Sequence, residues 1–330
     1  MDQPVAPELS ALIPLLDEAA NIAPLLAALK PVLAACCTSY EIIFIDDGSQ
    51  DNTLEALRHA HAEDAQVKVI VLSRNFGKEI AIAAGLDGAQ GQAVIILDAD
   101  MQHPPSAIPA MVAQWRQGYE NVYATRASRD EETPLKRFLT ERFYRIFELL
   151  GETPLPAGAG DFRLLDRKAV LALRSMSERA RFNKGLYSWI GFRSIGVPVV
   201  FARRHEGRSK FSYRKLTRFA FDGLMSFSTL PLKVWTYIGT LISTGSVATA
   251  LYFLARTMIF GADAPGFATL IVSVLFLAGV QLMSLGIMGE YVGRIFAEVK
   301  GRPLYLVSER LGLEARPERG PLPPASPTGP

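Results

Sequence analysis

The sequence predicts an α/β domain with a mostly parallel sheet, followed by a hairpin of two apolar helices. Two observations lead to this fold class. Short apolar runs alternate with helical patterns through the first 200 residues, and two uncharged apolar runs, 234–255 and 267–289, lie near the C-terminus. Alternating strands and helices favour a parallel sheet that is covered on both faces. Each C-terminal run exceeds the roughly 20 residues that a helix needs to cross a bilayer.

The alternation of strands and helices begins at Leu9. Strands are predicted over 9–14, 41–45, 67–72 and 93–97, and helices over 22–33 and 54–61. Acidic clusters follow two of the strands, at 46–47 and at 98–100. Ligand sites of such sheets lie beyond the carboxyl ends of the strands, so both clusters are expected at one site. Because no G-x-G-x-x-G follows a strand, dinucleotide binding is not supported.

The predicted boundaries divide the chain into four parts. They are an α/β domain over 1–212, an interfacial amphipathic segment over 213–232, a transmembrane hairpin over 233–300 with helices at about 234–256 and 267–290, and a mostly disordered tail over 301–330. Basic residues flank the hairpin but are missing from its connecting loop, so the positive-inside rule places both termini in the cytoplasm. Two buried helices of a soluble core are the alternative, but such helices seldom stay uncharged over this length.

Composition excludes several classes of protein. The formal net charge is only +2, which argues against general nucleic-acid binding. The N-terminus lacks the basic and apolar regions of a signal peptide. The two cysteines, Cys36 and Cys37, are adjacent, and neighbours in sequence rarely meet the geometry of a disulfide. We expect core thiols in a reducing compartment.

Asp98 and Asp100 are candidate metal ligands. They follow a buried apolar strand and stand two residues apart, so their side chains point the same way while the backbone stays extended. Gln102 supplies a third oxygen. Hard oxygen ligands with open positions suit Mg²⁺ or Mn²⁺ that bridges phosphates. An isolated D-x-D more often marks a turn, and its place after the strand is what favours a metal.

Asp47 also follows a predicted strand, and its carboxylate could accept a hydrogen bond from a nucleobase N–H. Helix capping explains the polar residues 49–53 that come next.

A basic cluster lies between residues 203 and 218. Its members are Arg203, Arg204, Arg208, Lys210, Arg214, Lys215 and Arg218. A lipid phosphate carries nearly two negative charges near neutral pH, and Arg and Lys are its usual partners. Attraction to anionic headgroups is the alternative role, and the two can hold together.

Six ordered motifs resemble those of family 2 glycosyltransferases, in particular the polyprenyl-phosphate subgroup that includes dolichyl-phosphate mannosyltransferases and bactoprenol glucosyltransferases. The motifs are Pro14–Glu18, Asp46–Ser49, Ser73–Glu79, Asp98–Pro105, Gly160–Arg167 and Gly207–Lys210. The resemblance spans roughly residues 8 to 305 and implies a GT-A fold, a nucleotide-sugar-binding α/β domain. Asp17 departs from the family's usual Asn, and Met101 and His103 vary the surroundings of the D-x-D.

The resemblance implies a role for each matching residue. The donor would be bound by Pro14, Glu18, Asp47 and Asp98; Asp100 and Gln102 would hold Mg²⁺ or Mn²⁺; Asp161 would be the catalytic base; and Arg126, Arg204, Ser209 and Lys210 would bind phosphates of the donor or acceptor. Because a phosphate acceptor is already largely ionised, we expect Asp161 to orient it, or to share a proton with it, more than to act as a strong base.

The implied reaction is an inverting sugar transfer onto undecaprenyl or another polyprenyl phosphate, at the cytoplasmic face of the inner membrane. UDP-glucose is the favoured donor, and UDP-N-acetylglucosamine, another UDP-sugar and GDP-mannose stay open. The lipid bilayer is an expected partner, and homo-oligomer formation is left open. A processive polysaccharide synthase would carry a Q-x-x-R-W motif, which this chain lacks. A non-catalytic protein of lipid-sugar flipping would not need intact acidic motifs.

Overall fold

The computed structural model describes residues 6–126, 160–176, 178–179, 181–200, 230–260 and 266–313. Eight strands in this part of the chain form one sheet. In chain order they are β1 (Leu9–Leu15), β2 (Tyr40–Asp46), β3 (Val67–Leu72), β4 (Ala93–Ile96), β5 (Asn121–Arg126), β6 (Arg163–Asp166), β7 (Ser194–Val199) and β8 (Val307–Leu311).

The helices lie between and after these strands. They are α1 (Ala19–Cys36), α2 (Thr53–Glu63), α3 (Lys78–Gly88), α4 (Ile108–Arg116), α5 (Arg167–Ser175), α6 (Asn183–Trp189), α7 (Leu230–Phe260) and α8 (Phe267–Val299), with a short 3₁₀ helix at Pro105–Ala107. The first four strands and first two helices therefore agree with the predicted elements to within three residues at either end.

The sheet is mostly parallel, as predicted, with the strand order β7-β5-β6-β4-β1-β2-β3-β8. The pairs of β1 with β2, β1 with β4, β2 with β3 and β5 with β7 are parallel. Strand β6 is antiparallel to both of its neighbours, β4 and β5, and β8 is antiparallel to β3. The chain leaves β1 toward β2 on one side and later returns to pair β4 on the other, so the strand order reverses at β1. A reversal of this kind opens a crevice at the carboxyl edge of the sheet.

Apolar side chains cover both faces of the sheet. One face packs residues such as Ile13, Phe44 and Val69 against α1, α2 and α4. The other packs Leu12, Ile43 and Ile45 against α3 and α5. The near-continuous apolar runs of β1 to β4 follow from this double coverage, since alternate residues face opposite cores. The thiols Cys36 and Cys37 are free and half-buried at the end of α1.

Three helices are long and apolar enough to cross a membrane by length and composition: α1 and segments 237–260 and 276–299 of α7 and α8. Helix α1 differs from the others because Leu25, Leu29 and Leu33 are fully buried against the sheet. The described apolar side chains of α7 and α8 are instead mostly exposed, with Leu241 at 76% and Phe260 at 81%. Helix α8 also continues nine residues beyond the predicted end near 290, to Val299.

The start of the predicted tail is corrected by the structure. Residues 301–313 are part of the α/β domain, because β8 extends the sheet beside β3. Tyr305 donates a hydrogen bond to Asp87 of α3 at 2.8 Å, and Arg58 pairs with Glu309 at 2.6 Å. Residues 314–330, which complete the predicted tail, lie outside the described part of the chain.

Candidate active site

The topology brings together acids that are 63 residues apart in sequence, Asp98 and Asp161. Strand β6 runs antiparallel to β4 with Arg163 opposite Ile96. Asp98 lies two residues after Ile96, and Asp161 lies two residues before Arg163. Both carboxylates therefore lie at the carboxyl edge of the parallel strands, where the strand order reverses.

Lys78, the first residue of α3, bridges the two acids. Its Nζ lies 2.6 Å from Asp98 Oδ1 and 2.9 Å from Asp161 Oδ2. Burial by itself would raise the pKa of Asp161, but the charges of Lys78 and Lys184 hold it well below its usual range. Burial would likewise lower the pKa of Lys78, and the two carboxylates raise it instead. The three side chains form a triad with Lys78 between the two carboxylates.

The second oxygen of Asp161 is unusual. Oδ1 is shielded from solvent and accepts no hydrogen bond from the described residues. A buried acceptor without a donor is costly, and in native proteins it commonly marks a place for a ligand or water. Asp161 thus has one oxygen held by Lys78 and one available to a proton donor.

The loop after β4 carries the candidate metal ligands. Strand β4 ends at Ile96, so Asp98 follows it in an irregular segment and Asp100 lies on a turn. The strand therefore does not continue through both acids, as the sequence analysis assumed. The Asp98 N–H donates to His103 Nδ1 at 3.0 Å, which closes the loop. Met101 has a φ of 58°, a strained conformation for a residue with a side chain, and such strain concentrates at functional sites.

His103 stabilises this loop. Its position in the motif does not predict that role. Its ring is buried and stacks on Phe162 with ring centroids 4.9 Å apart. Burial lowers the pKa of His103, despite the nearby acids. A backbone N–H can only donate, so Nδ1 is the unprotonated nitrogen in this arrangement.

The donor set fits a divalent cation that is shared with a substrate. Two carboxylates and one amide side chain are oxygen donors, which Mg²⁺ and Mn²⁺ prefer. Within the described residues, no group of three or more His, Cys, Asp or Glu side chains could hold a metal ion. An all-protein cage is therefore not present there, whereas one or two carboxylates completed by substrate phosphates suit Mg²⁺. The Asp100 carboxylate is held in its orientation by a hydrogen bond, which its Oδ1 accepts from the Gln102 N–H at 3.1 Å.

Asp47 fixes the loop that leads to Lys78. Its two carboxylate oxygens accept from the Phe76 N–H at 2.7 Å and the Gly77 N–H at 2.8 Å. Burial raises the pKa of Asp47 in spite of these bonds. Gly48 permits the contact, because a Cβ there would come within 2.6 Å of the Arg74 carbonyl carbon and its φ is +76°. Each carboxylate oxygen keeps a second lone pair, so contact with a base stays a prediction.

Pro14 and Glu18 lie where a nucleotide site is expected. Pro14 is buried in β1, opposite Ile45 of β2. The Glu18 N–H donates to Thr53 Oγ1 at 3.0 Å, so the loop after β1 is tied to the start of α2. Both residues therefore stand at the same sheet edge as Asp47.

The predicted phosphate-binding residues fall only partly within the described chain. Arg126 ends β5, which runs parallel to β4, so its backbone lies at the same edge. Arg204, Ser209 and Lys210 belong to residues 201–229, outside the described part of the chain. Strand β7 is parallel to β5 and ends at Val199, so the chain enters that segment from the site's edge.

Glu79 and Arg163 are further site residues whose roles their sequence positions did not indicate. Glu79 Oε2 accepts from the Asn183 N–H at 2.9 Å. Arg163 is buried, donates to the Gly160 carbonyl at 2.8 Å and stacks on Tyr187, with its guanidinium carbon 3.8 Å from the ring centroid. The bond to Gly160 fixes the backbone beside Asp161. Both residues occur in the family motifs, but only the fold reveals that they face Asp161.

We expect Glu79 to make the stability of the protein depend on pH. Burial, followed by the charge of Asp161, raises the pKa of Glu79 from 4.5 to about 7, against the opposing effects of the Asn183 N–H, Lys78 and Lys184. The stabilisation is therefore fully present below about pH 4.5 and is lost as the pH rises through 7. Between 4.5 and about 7, at about 1.4 kcal/mol per pKa unit, the upper bound is about 3.5 kcal/mol. Glu79→Gln should remove this pH dependence. The melting temperature of the variant, relative to that of the wild type, should therefore rise between pH 5 and 8.

The measurement is thermal unfolding of the detergent-solubilised protein at several pH values. Glu55→Gln, the same change at an exposed position of α2, is the matched control and should leave the pH profile unchanged. A constant difference between Glu79→Gln and wild type at every pH would contradict the raised pKa.

Comparison with known proteins identifies the family. The model of glycosyl transferase family 2 matches residues 10–174. An uncharacterized glycosyltransferase of Synechocystis sp. is 50% identical over 310 residues, which cover 94% of this chain and 98% of that protein. An uncharacterized glycosyltransferase of Bacillus subtilis is 39% identical over 305 residues, which cover 92% of this chain and 94% of that protein. The bactoprenol glucosyl transferase of Shigella phage SfII is 42% identical over 269 residues, which cover 82% and 87%.

These matches extend well beyond the α/β domain. A match over 94% of the chain includes α7 and α8 as well as the sheet. The site geometry agrees with the assignment, since the matched segment contains the D-x-D loop and Asp161. The chain belongs to glycosyl transferase family 2, with a GT-A fold, and within that family to the polyprenyl-phosphate glycosyltransferases.

Proposed function

We propose that this enzyme moves a sugar, with glucose from UDP-glucose as the first choice, onto a polyprenyl phosphate at the cytoplasmic face of the membrane. The observation that carries the proposal is the meeting of Asp98, Asp100 and Asp161 at one sheet edge, with Lys78 between two of them. The name of the Shigella phage relative, bactoprenol glucosyl transferase, supports both the sugar and the lipid acceptor.

The donor would lie across the loops that follow β1, β2 and β4. Its base would meet the remaining lone pairs of Asp47, near Pro14 and Glu18. Asp98, Asp100 and Gln102 would hold a divalent cation against the diphosphate. When bound, such a cation supplies positive charge that neutralises the charge growing on the leaving group. Mg²⁺ and Mn²⁺ both suit this oxygen donor set.

The chemical step is a displacement at the anomeric carbon. An oxygen of the acceptor phosphate forms the new bond to that carbon, and the bond to the β-phosphate oxygen breaks with its electron pair leaving on the nucleoside diphosphate. Direct displacement inverts the anomeric centre. Asp161 Oδ1, which is buried and accepts no hydrogen bond from the described residues, would orient the acceptor, sharing a proton with it while the phosphate is singly ionised. Arg163 fixes the backbone of Gly160 and so the position of Asp161.

The long helices support a membrane site. Helices α7 and α8 have 31 and 33 residues, so at 1.5 Å per residue they are about 46–50 Å long. Their mostly exposed apolar side chains would be unfavourable in water over so large an area. A hydrocarbon core about 30 Å thick would cover most of each helix. The last turns of α8 would then stand outside it, where the Glu298 carboxylate accepts from the Arg179 N–H at 2.7 Å. We place both termini in the cytoplasm.

Arg204→Ala and Lys210→Ala should impair use of the lipid phosphate more than use of the donor. A lost charge-assisted hydrogen bond costs about 1.5–3 kcal/mol, or about ten- to 150-fold in acceptor kcat/KM. The measurement is turnover in neutral detergent with a short-chain polyprenyl phosphate, where attraction to anionic headgroups is absent. Near-normal rates at low acceptor concentration would leave membrane attraction as the only role of these residues.

The proposed function itself is tested with a panel of donors. Purified protein is incubated with undecaprenyl phosphate, Mg²⁺ or Mn²⁺ and one of UDP-glucose, UDP-N-acetylglucosamine, UDP-galactose or GDP-mannose, and the lipid product is identified by mass. We expect a glycosyl phosphoryl lipid from UDP-glucose. Product from another donor alone would correct the sugar and keep the reaction. Absence of lipid product from every donor and metal would overturn the proposal.

A further inference from the structure

Lys78 joins two acids that serve different parts of the proposed reaction. Asp98 belongs to the donor side, and Asp161 belongs to the acceptor side. The ammonium lies 2.6 Å from the first and 2.9 Å from the second. One ammonium is thus shared between two carboxylates.

The backbone on both sides of Lys78 is fixed. Phe76 and Gly77, just before it, donate their N–H groups to Asp47. Glu79, just after it, accepts from the Asn183 N–H at 2.9 Å. The side chain beyond that anchor is long and 40% exposed, so the ammonium can move while its Cα does not.

In the proposed donor complex, the Asp98 carboxylate that pairs with Lys78 would also be needed at the diphosphate. A divalent cation and a diphosphate at Asp98 and Asp100 would meet the ammonium already bound to Asp98 Oδ1. Two cations on one carboxylate repel each other. The diphosphate, however, offers the ammonium new anionic oxygens, which Lys binds as a compact point charge.

We propose that Lys78 is a positioning residue that holds Asp98 and Asp161 together before the donor binds and then shifts from Asp98 to the donor diphosphate while it keeps Asp161. This inference rests on the proposed function, because it needs a diphosphate donor at Asp98. Donor binding would in this way be linked to the acceptor carboxylate. The pairing with Asp161 persists, so Oδ2 stays held and Oδ1 stays directed at the acceptor.

The proposal predicts effects of opposite sign in one variant. Lys78→Met keeps an unbranched side chain of nearly the same length but removes the ammonium and its charge. With no donor present, the variant should bind Mn²⁺ about three- to tenfold more tightly, because a competing charge next to the site is gone. Its kcat should nevertheless fall about ten- to 100-fold, because Asp161 loses its partner and the diphosphate loses a cation. Lys78→Arg should restore part of the turnover and the weaker Mn²⁺ binding.

The test uses the full chain in detergent. Free Mn²⁺ is titrated by electron paramagnetic resonance without donor, and kcat is measured with donor and polyprenyl phosphate. Lys30→Met is the matched control, because Lys30 is similarly exposed and also bound to an aspartate, Asp64 at 2.8 Å. It should change neither quantity.

The outcomes separate the two proposals. Tighter Mn²⁺ binding with slower turnover in Lys78→Met supports the shift of Lys78. Unchanged or weaker Mn²⁺ binding in that variant, while the wild type binds Mn²⁺ and transfers sugar, overturns the role of Lys78 and leaves the function standing. A wild type that neither binds Mn²⁺ nor transfers sugar overturns both.

Discussion

Asp100→Asn should nearly abolish sugar transfer while the protein stays folded. The carboxylate is oriented by the Gln102 N–H at 3.1 Å, and its charge is what would hold a divalent cation against the diphosphate. An amide keeps the size and one oxygen but carries no charge. Metal-ion stabilisation is worth several kcal/mol, so we expect kcat to fall by about 10²–10⁴-fold. The measurement is turnover at saturating donor and acceptor over a range of Mg²⁺ and Mn²⁺ concentrations.

A stability measurement and a control variant distinguish loss of the metal ligand from loss of the fold. The melting temperature of Asp100→Asn should stay within a few degrees of the wild type, because Asp100 lies on a half-buried turn outside the core. Asp64→Asn is the matched control: it makes the same change at the opposite edge of the sheet, after α2. Near-normal, metal-dependent turnover of Asp100→Asn would remove Asp100 from the metal site.

The sequence predicted the first half of the sheet well because its strands are local and apolar. Strands β1 to β4 lie in runs that are buried on both faces, and the two helices predicted after β1 and β2 end within three residues of their predicted positions. Alternation of strand and helix also predicts parallel pairing without any knowledge of the partners.

The remaining strands depend on pairings over long distances. Strand β8 has the sequence VSERL, which looks locally like part of a polar tail. Its place in the sheet comes from its pairing with β3, more than 230 residues earlier. Strand β6 lies in the motif Gly160–Arg167, but nothing local predicts that it runs antiparallel to β4. That direction is what brings Asp161 to Asp98.

Asp98 and Asp161 meet in the structure, whereas the sequence did not indicate the contacts of Lys78 and His103. Asp98 and Asp100 stand out because they follow a predicted buried strand, whereas Asp161 is named only by the family resemblance. Lys78 does not stand out, since a lysine at the start of a helix is usually solvated. The contact of Lys78 with Asp161 is seen only in the folded structure, where the chain leading into β6 places the Asp161 carboxylate 2.9 Å from Lys78 Nζ. His103 looked like a variation of the motif and proves to close the loop through the Asp98 N–H.

Asp161→Asn should lower kcat by about 10²–10³-fold, within the range of removing a positioned catalytic group, with a much smaller change in donor KM. The pKa of Asp161 lies well below its usual range because the charges of Lys78 and Lys184 outweigh burial, so the carboxylate is a weak base throughout the working pH range.

A weak base that orients a phosphate should leave no limb of its own in the pH profile of the wild type. The acid limb of kcat/KM should instead follow the second ionisation of the acceptor phosphate, near pH 6, and should move upward with a phosphonate acceptor of higher pKa. Asp161→Glu, which keeps the charge but displaces it, should recover part of the rate. An acid limb that stays in place when the acceptor is changed, and that disappears in Asp161→Asn, would instead make Asp161 a titrating general base.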